Sequence, residues 1–393
     1  MSSPRRRFPL ALCGSLASLF ASSVGFAEVD DAERTSDEGE AADAPAAAIE
    51  EAGDLEELGE LSYRFDAELR LLASAIRNDP DVAFVGRSDG FRIQNARVGA
   101  SGVWSDWVML RLSAEGADDE RDDPNALRGT LRFALLDAYA DLVLARAATL
   151  RLGRFAILYD LEEHTSPAER PFARKALPSR GVRATEGFET RSLGVGRDLG
   201  VGLRAERAIP LEALDLGYEI ALQNGAGELA SANDNDRVAL SGAAFAHHER
   251  GLGFVAVRYN TRSQGELPAL RTERDLGVAG GLSLESSRAR GGAQVLFERT
   301  TFPTTAGPAR YAFGASAHVL VSVTRDVELG YRYAVLDPSD RLPATVVQEH
   351  TAGANVQPAE IPLRFQLNVT RPVEQAGRSL RNDRLEIVAE VAL

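Results

Sequence analysis

The sequence predicts an all-β protein, a transmembrane antiparallel β-barrel of about 16 strands. After residue 61, segments of about ten residues alternate between apolar and polar side chains up to the end of the chain. No uninterrupted apolar run there is long enough for a membrane-spanning helix. The first residues also have the pattern of an export signal, and the only cysteine lies within them.

The first 27 residues have the order expected of a secretory signal peptide. Three arginines at 5–7 precede an apolar, small-residue stretch, and small residues at 25–27 suit a cleavage site. The alternative is an N-terminal membrane anchor, which the interruptions at Pro9 and Gly14 disfavour. Cys13 leaves with the signal, so we expect no disulfide, thiol nucleophile or cysteine metal site in the mature chain.

The net charge of -14 is concentrated in one segment. Residues 28–60 hold 14 acidic side chains against Arg34 alone, and they contain no aromatic residue. An acidic, alanine-rich composition of this kind cannot bury enough apolar surface to fold by itself, so it predicts a disordered tail or spacer. Residues 61–393 carry 44 acidic and 40 basic side chains. This near balance lacks the excess of positive charge that is typical of a nucleic-acid-binding domain.

Alternation is clearest in the segment LDLGYEIALQNG. Its apolar face carries Leu214, Leu216, Tyr218, Ile220 and Leu222. Successive side chains of a strand point to opposite faces, so each such segment has one apolar and one polar face. Sixteen segments of this kind lie near 62–73, 91–103, 106–115, 130–144, 148–157, 197–208, 214–223, 237–247, 252–262, 275–286, 290–300, 310–323, 326–336, 346–356, 361–371 and 383–393.

Two architectures accommodate such strands, a secreted β-sandwich or propeller and a membrane barrel. The barrel is favoured because the strands have about the membrane-crossing length and closure satisfies every backbone hydrogen bond without an open edge. Arginine, glutamate and small residues opposite the apolar rows also suit a wide hydrated lumen. Connections of unequal length fit a barrel too, and the longest, 158–196, lies between segments 5 and 6.

The stretch LLDAYADLVLARAATLRLGRF is rich in leucine and alanine, as a helix would be. Its alternation instead predicts a strand, a turn at ARAA and a return strand. Asp137 and Asp141 then face the lumen. The alternation changes phase at Leu135–Leu136, which predicts a β-bulge there.

These motifs resemble the phosphate-selective porin O and P family of bacterial outer membranes. The pattern DAY-x-D maps onto Asp137 to Asp141, and L-x-x-G-x-F maps onto Leu150 to Phe155. An R-x-x-G strand follows at Arg197, and a strand ending in NG follows at Asn224. The resemblance extends over most of residues 90–393 and implies a trimeric outer-membrane porin whose loop between strands 5 and 6 folds into the pore. The barrel domain is therefore expected to span 61–393.

Two features depart from the family pattern. Phosphate-selective members resemble one another in a lysine cluster at the pore mouth, whereas this chain has the single lysine Lys175. Outer-membrane barrels commonly end in an aromatic residue, whereas this chain ends in Leu393.

Candidate pore residues are basic, because rings of arginine or lysine favour anions and guanidinium groups stay charged at any working pH. The candidates for the constriction are Arg170, Arg174, Lys175, Arg180 and Arg183 in the long connection. The candidates for the lumen wall are Arg97, Arg111, Arg132, Arg151 and Arg204. The alternative for either set is pairing with nearby carboxylates, which would stiffen the wall and leave little net charge.

The sequence thus predicts a water-filled outer-membrane porin for passive diffusion of small anionic or neutral solutes, with a preference for anions or phosphate. Outer-membrane lipid and two further copies of the chain are the expected partners. No cofactor, metal or catalytic residue is expected, and no catalytic motif is found. The rival hypotheses are a secreted β-sandwich binding module and, less favoured, a barrel enzyme such as a lipase using Ser316 and His318.

Overall fold

Seventeen strands make up nearly all of the regular structure in the described part of the chain. The computed structural model describes residues 56–58, 61–82, 85–86, 89–117, 133–187, 189–226, 233, 237–264, 269–303, 307–375 and 380–393. The strands are β1 (Glu56–Leu58), β2 (Leu61–Ile76), β3 (Gly90–Trp104), β4 (Val108–Gly116), β5 (Phe133–Ala145), β6 (Ala148–Phe155), β7 (Asp198–Pro210), β8 (Asp215–Gln223), β9 (Ala239–His248), β10 (Gly251–Gln264), β11 (Arg271–Glu285), β12 (Ala289–Phe302), β13 (Gly307–Ser322), β14 (Val327–Asp337), β15 (Val347–Val356), β16 (Leu363–Glu374) and β17 (Arg384–Ala392).

Strands β2 to β17 form a closed antiparallel barrel of sixteen strands. Each pairs with the next along the chain, and β17 pairs with β2 from Arg384↔Ile76 to Ala392↔Glu68. The sixteen predicted segments and the predicted fold class are confirmed. The short β1 pairs with the start of β2, so residues 56–58 of the predicted tail form a strand. The predicted signal peptide lies outside the described residues.

The two faces of each strand differ sharply in exposure, as β16 illustrates. Phe365, Leu367 and Val369 point outward and are 42%, 45% and 52% exposed. Gln366 and Asn368 point inward and are each 1% exposed. An apolar exterior with a polar interior is the arrangement that a lipid environment requires of a barrel.

The predicted bulge in β5 is confirmed. Ser113 pairs with Asp137 and Ala114 with Leu135, so Leu136 is an additional residue on the β5 side. The bulge leaves two successive carbonyl oxygens, those of Leu135 and Leu136, 3.0 Å and 3.1 Å from Arg154 Nε. The turn that follows β5 lies at 146–147, as the sequence predicts.

Connections at the two ends of the barrel differ in length. At one end they are short: the shortest have two residues, such as 146–147, and the longest has six, 357–362. At the other end the longest is 156–197 between β6 and β7, called the lumenal loop below. It contains helical turns at Leu161–His164, Pro167–Glu169, Leu177–Arg180 and Ala184–Glu186. Among the described residues, no helix has the length and apolarity needed to cross a bilayer.

Candidate functional site: the lumenal loop and the charged wall

The two ends of the lumenal loop are fastened to neighbouring strands. Gln223 Nε2 on β8 lies 3.1 Å from the carbonyl of Phe155 and 3.4 Å from that of Asp198, and so donates to both ends of the loop. The Asp198 carboxylate accepts from the backbone N–H of Gly225 at 2.5 Å, and Asn260 Nδ2 donates to the Gly225 carbonyl at 2.9 Å. The base of the loop is therefore tied to β8 and β10.

Two glycines of the family motifs, Gly153 and Gly225, lie at this base. Gly153 has φ +127°, and a Cβ there would lie 2.1 Å from the Ala138 carbonyl oxygen. Gly225 has φ +80°, and a Cβ there would lie 2.1 Å from Asn260 Oδ1. Only glycine adopts such conformations readily, and only glycine leaves the space. Glycine at these two motif positions thus allows β6 to lie close to β5, and the residues after β8 to lie close to β10.

One side of the loop is apolar and packs on small residues of the barrel wall. Leu177 and Leu193 belong to a buried cluster with the wall residues Ala279, Ala312 and Ala334. Small wall side chains let the loop approach closely, and at Gly314 on β13 a Cβ would lie 2.6 Å from Pro178 of the loop. Burial of this apolar surface stabilises the loop inside the barrel.

The other side of the loop is held through its backbone. Inward-facing wall side chains bond to successive loop backbone groups, which are the Pro167 carbonyl (Arg364, 3.1 Å), the Arg170 carbonyl (Gln366, 2.8 Å), the Pro171 carbonyl (Asn355, 3.1 Å), the Ala173 N–H (Asn368, 2.8 Å), the Ala173 carbonyl (Gln94, 2.6 Å) and the Arg174 carbonyl (Arg332, 2.7 Å). Backbone groups buried away from water need such partners. The wall therefore supplies the hydrogen bonds that regular secondary structure would otherwise supply to residues 170–174.

The candidate constriction residues lie close to carboxylates. Arg170, Arg174, Lys175 and Arg180 are buried, and Arg183 is half-buried. Lys175 Nζ lies 3.1 Å from Glu163 Oε1, and Arg180 Nη2 lies 2.6 Å from Glu349 Oε1 on β15. Such pairing neutralises charge locally. The contribution of these residues to anion preference stays a prediction.

The candidate wall arginines are also paired. Arg97 Nη2 lies 2.9 Å from Glu115 Oε2, and Arg111 Nη2 lies 2.9 Å from Asp66 Oδ2. Arg151 binds both oxygens of Asp141, at 2.7 Å and 2.6 Å. Arg204 pairs with Glu206 on its own strand. Arg132 lies outside the described residues.

Sequence reasoning did not single out the wall residues that receive the loop. They are Glu349, Arg384 and Glu386. Their position on the polar face of alternating segments predicts that they point inward. Alternation carries no information about which loop residue each one meets, so this set could not have been found from the sequence.

Exposure differs between two neighbouring parts of the lumen wall. On β2 and β4, Asp66, Arg111 and Glu115 keep 29%, 19% and 20% of their side-chain surface exposed. On β15 and β17, Glu349 and Arg384 keep 1% and 2%. Water therefore reaches the charged side chains of β2 and β4, whereas the lumenal loop covers those of the neighbouring strands β15 and β17.

Asp160, at the start of the loop, carries a buried carboxylate next to two other acids. Burial, together with the negative charges of Glu163 and Glu162, raises its pKa to about 6. Its Oδ1 accepts from the Glu162 N–H at 2.9 Å, which caps the helical turn Leu161–His164. The ionised carboxylate thus costs stability at neutral pH.

We expect Asp160→Asn to stabilise the protein at pH 8 by on the order of 2 kcal/mol, because the amide keeps the capping oxygen without the charge. The native-state pKa lies above the usual value, so the cost is present above about pH 6 and is lost as the pH falls towards 4. Urea-unfolding midpoints in detergent at pH 8 and pH 4.5 test this, with the exposed Asp326→Asn as control. An equal gain at both pH values would contradict it.

Within the described ranges, no group of three or more His, Cys, Asp or Glu side chains is arranged to hold a metal ion. Ser316 and His318, the residues of the lipase hypothesis, both lie on the inward face of β13. The His318 ring packs edge-on against Phe172 of the loop at 6.1 Å between ring centroids. Neither side chain faces lipid.

Comparison with known proteins agrees with this geometry. Residues 65–213 match the model of the family described as phosphate-selective porin O and P. The fold is that of a porin. The predicted family resemblance is confirmed over those residues, which include the strands β3 to β7 and the whole lumenal loop.

Solved structures with this porin fold share little sequence with the chain. OmpT of Vibrio cholerae, in its trimer form, aligns with a TM-score of 0.59 at 9% identity, covering 85% of this chain and 100% of its own. The anion-selective porin from Comamonas acidovorans aligns at 0.58 and 13% identity, covering 85% and 100%. The outer membrane channel DcaP of Acinetobacter baumannii aligns at 0.58 and 13%, covering 87% and 100%. No curated protein sequence matches the chain.

Proposed function

We propose that this protein is an outer-membrane channel through which small hydrophilic solutes diffuse passively. The observation that carries the proposal is a closed sixteen-stranded barrel, apolar outside, with a charged and water-accessible wall inside. The family match over residues 65–213 supports it. Export by the predicted signal peptide 1–27 and placement in the outer membrane are part of the same proposal.

The selectivity proposed for this channel is weak. On the exposed wall, Arg111 faces Asp66 at 2.9 Å, and at the end of the lumenal loop Arg197 faces Asp137 of β5 at 2.6 Å, so neighbouring charges cancel. The lumenal loop holds seven basic and six acidic side chains between residues 156 and 197. This slight positive excess, which includes the five constriction candidates, favours anions a little. The proposal includes no selectivity for phosphate over other anions.

We propose a homotrimer as the assembly. The Vibrio cholerae OmpT that shares the fold is described in trimer form, and the outward faces of this barrel are apolar enough to lie against lipid or another copy. Chemical cross-linking in mild detergent tests this, with a band at three times the chain mass as the supporting result.

Planar-bilayer recording of the purified protein tests the channel. Stepwise ion conductance supports the proposal, whereas a protein that never raises conductance contradicts it. Hydrolysis of lipid esters without conductance would favour the rival enzyme hypothesis. The rival β-sandwich is excluded by barrel closure.

Opposite shifts in ion selectivity are expected from the two partners of one exposed pair. Asp66→Asn removes a negative charge from the wall, so the reversal potential in a KCl gradient moves towards anion selectivity by several millivolts. Arg111→Gln moves it towards cation selectivity. Glu212→Gln, in an exposed short turn, is the control and leaves the potential unchanged. Shifts in the same direction would contradict the proposed water route.

A further inference from the structure

The strongest charge cluster outside the exposed wall joins the lumenal loop to β15 and β17. It contains three arginines and three glutamates, namely Arg174, Arg180, Arg384, Glu186, Glu349 and Glu386. No side chain in it is more than 3% exposed. We call it the loop lock.

Glu186 is the centre of the loop lock. Its carboxylate lies 2.8 Å from Arg174 Nη1, 2.7 Å from Arg180 Nη1 and 2.7 Å from Arg384 Nη1. Arg174 and Arg180 belong to the loop, whereas Arg384 belongs to the wall strand β17. One carboxylate therefore holds two loop cations and one wall cation together.

Wall carboxylates complete the charge balance. Glu349 Oε1 accepts from Arg180 Nη2 and Arg384 Nη2, each at 2.6 Å, and Glu386 pairs with Arg174. The loop contributes two positive charges and one negative charge, and the wall contributes one positive and two negative. The cluster is neutral only when Glu186 is present and ionised.

Glu186 is held in its ionised form. Burial alone would raise its pKa, but Arg180, Arg384 and Arg174 outweigh burial and hold the pKa well below the usual range. Its carbonyl oxygen also accepts from Asn382 Nδ2 at 2.6 Å, in the connection that precedes β17. Side chain and backbone of this residue are thus both fixed to the wall.

We propose that Glu186 is a positioning residue that locks the lumenal loop against the barrel wall and so sets the width of the channel. The inference rests on the proposed channel function for its effect on conductance, but not for the lock itself. Without the carboxylate, three buried guanidinium groups face two carboxylates. An unpaired buried charge is strongly unfavourable, so the loop moves off the wall to hydrate it.

Limited trypsin digestion of the folded protein in detergent tests the lock without reference to conductance. In the native protein, Arg174, Lys175 and Arg180 are buried, so we expect cleavage after these three residues to be slow. Glu186→Gln is expected to speed it at least tenfold. The matched control is Glu189→Gln, the same chemical change three residues away at an exposed position, with no change in rate. Equal cleavage rates for the two variants would overturn the proposal.

A second variant covers the case in which Glu186→Gln does not assemble. Glu186→Gln combined with Arg174→Gln leaves Arg180 and Arg384 facing Glu349 and Glu386, so charge balance returns. We expect this double variant to assemble and to be cleaved after Lys175 and Arg180, the sites that both variants keep, more slowly than Glu186→Gln. A double variant that assembles but is cleaved at these sites as fast as Glu186→Gln would contradict the charge argument.

Planar-bilayer recording tests whether the loop lock affects the conductance of the channel. If the native protein conducts, Glu186→Gln is expected to give larger and noisier steps, whereas Glu189→Gln matches the native steps. A silent native protein contradicts the proposed function, yet the trypsin result still decides the lock. Native-like, quiet steps from a trypsin-sensitive Glu186→Gln would show that the loop does not set the width.

Discussion

Replacing Gly153 by alanine is expected to destabilise the barrel by more than about 3 kcal/mol and to lower the yield of folded protein severely. Two effects add. The backbone at φ +127° strains any residue with a Cβ, and that Cβ would lie 2.1 Å from the carbonyl oxygen of Ala138 on the paired strand. Relief requires β5 and β6 to separate, directly before the lumenal loop.

Gly253→Ala is the matched control. Gly253 lies on β10, its φ is not in the left-handed region, and a Cβ there would meet nothing within 4 Å. The same substitution is therefore expected to be nearly neutral. The measurements are the fraction of folded, heat-modifiable barrel on gels of unheated samples and the midpoint of urea unfolding of the folded fraction. Similar yields for both variants would contradict the argument from close approach.

Replacing Arg151 by methionine is the second change with a large expected effect, a loss of about 3–5 kcal/mol. Arg151 and Asp141 keep only 7% and 5% of their side-chain surface exposed, and they share two hydrogen bonds of 2.7 Å and 2.6 Å. The guanidinium also lies 4.0 Å from the centre of the Tyr139 ring. Methionine leaves the Asp141 carboxylate buried without its cation, and that is the main source of the loss.

The double variant Arg151→Met with Asp141→Leu separates this cause from lost packing. Removing both charges takes away the unpaired carboxylate, so we expect the double variant to be more stable than Arg151→Met alone. Urea unfolding in detergent gives the comparison. A double variant as unstable as the single one would show that packing around Arg151, and not its charge, supports the wall.

The barrel itself was predictable from the sequence because its signal is local. Strand alternation has a period of two, and each face of a wall strand meets either lipid or lumen over its whole length. Even the bulge at Leu136 was visible, since one extra residue shifts the phase of the alternation. The inward direction of Asp137 and Asp141 followed from the same phase.

The candidate site was predictable only in part. The basic residues of the lumenal loop were recognised as a group, but their partners were not. Glu349 and Glu386 lie more than 160 residues away along the chain, and Glu349 sits in a strand whose own pattern shows only that it points inward. Pairing between a loop and a distant wall depends on how the loop folds back, and no sequence period records that.

By itself, the sequence determined that β2 to β17 alternate and that each has one apolar and one polar face, because these properties repeat with every second residue. It favoured a barrel over a β-sandwich, and the pairing of β17 with β2 decided closure. The tertiary structure alone decided what the charges inside do. It pairs Arg174, Arg180 and Lys175 with carboxylates, buries them, and leaves Asp66 and Arg111 at the water-exposed wall. The physical reason is that a charge acts through its nearest neighbours in space, which closure of the barrel brings together from distant parts of the chain.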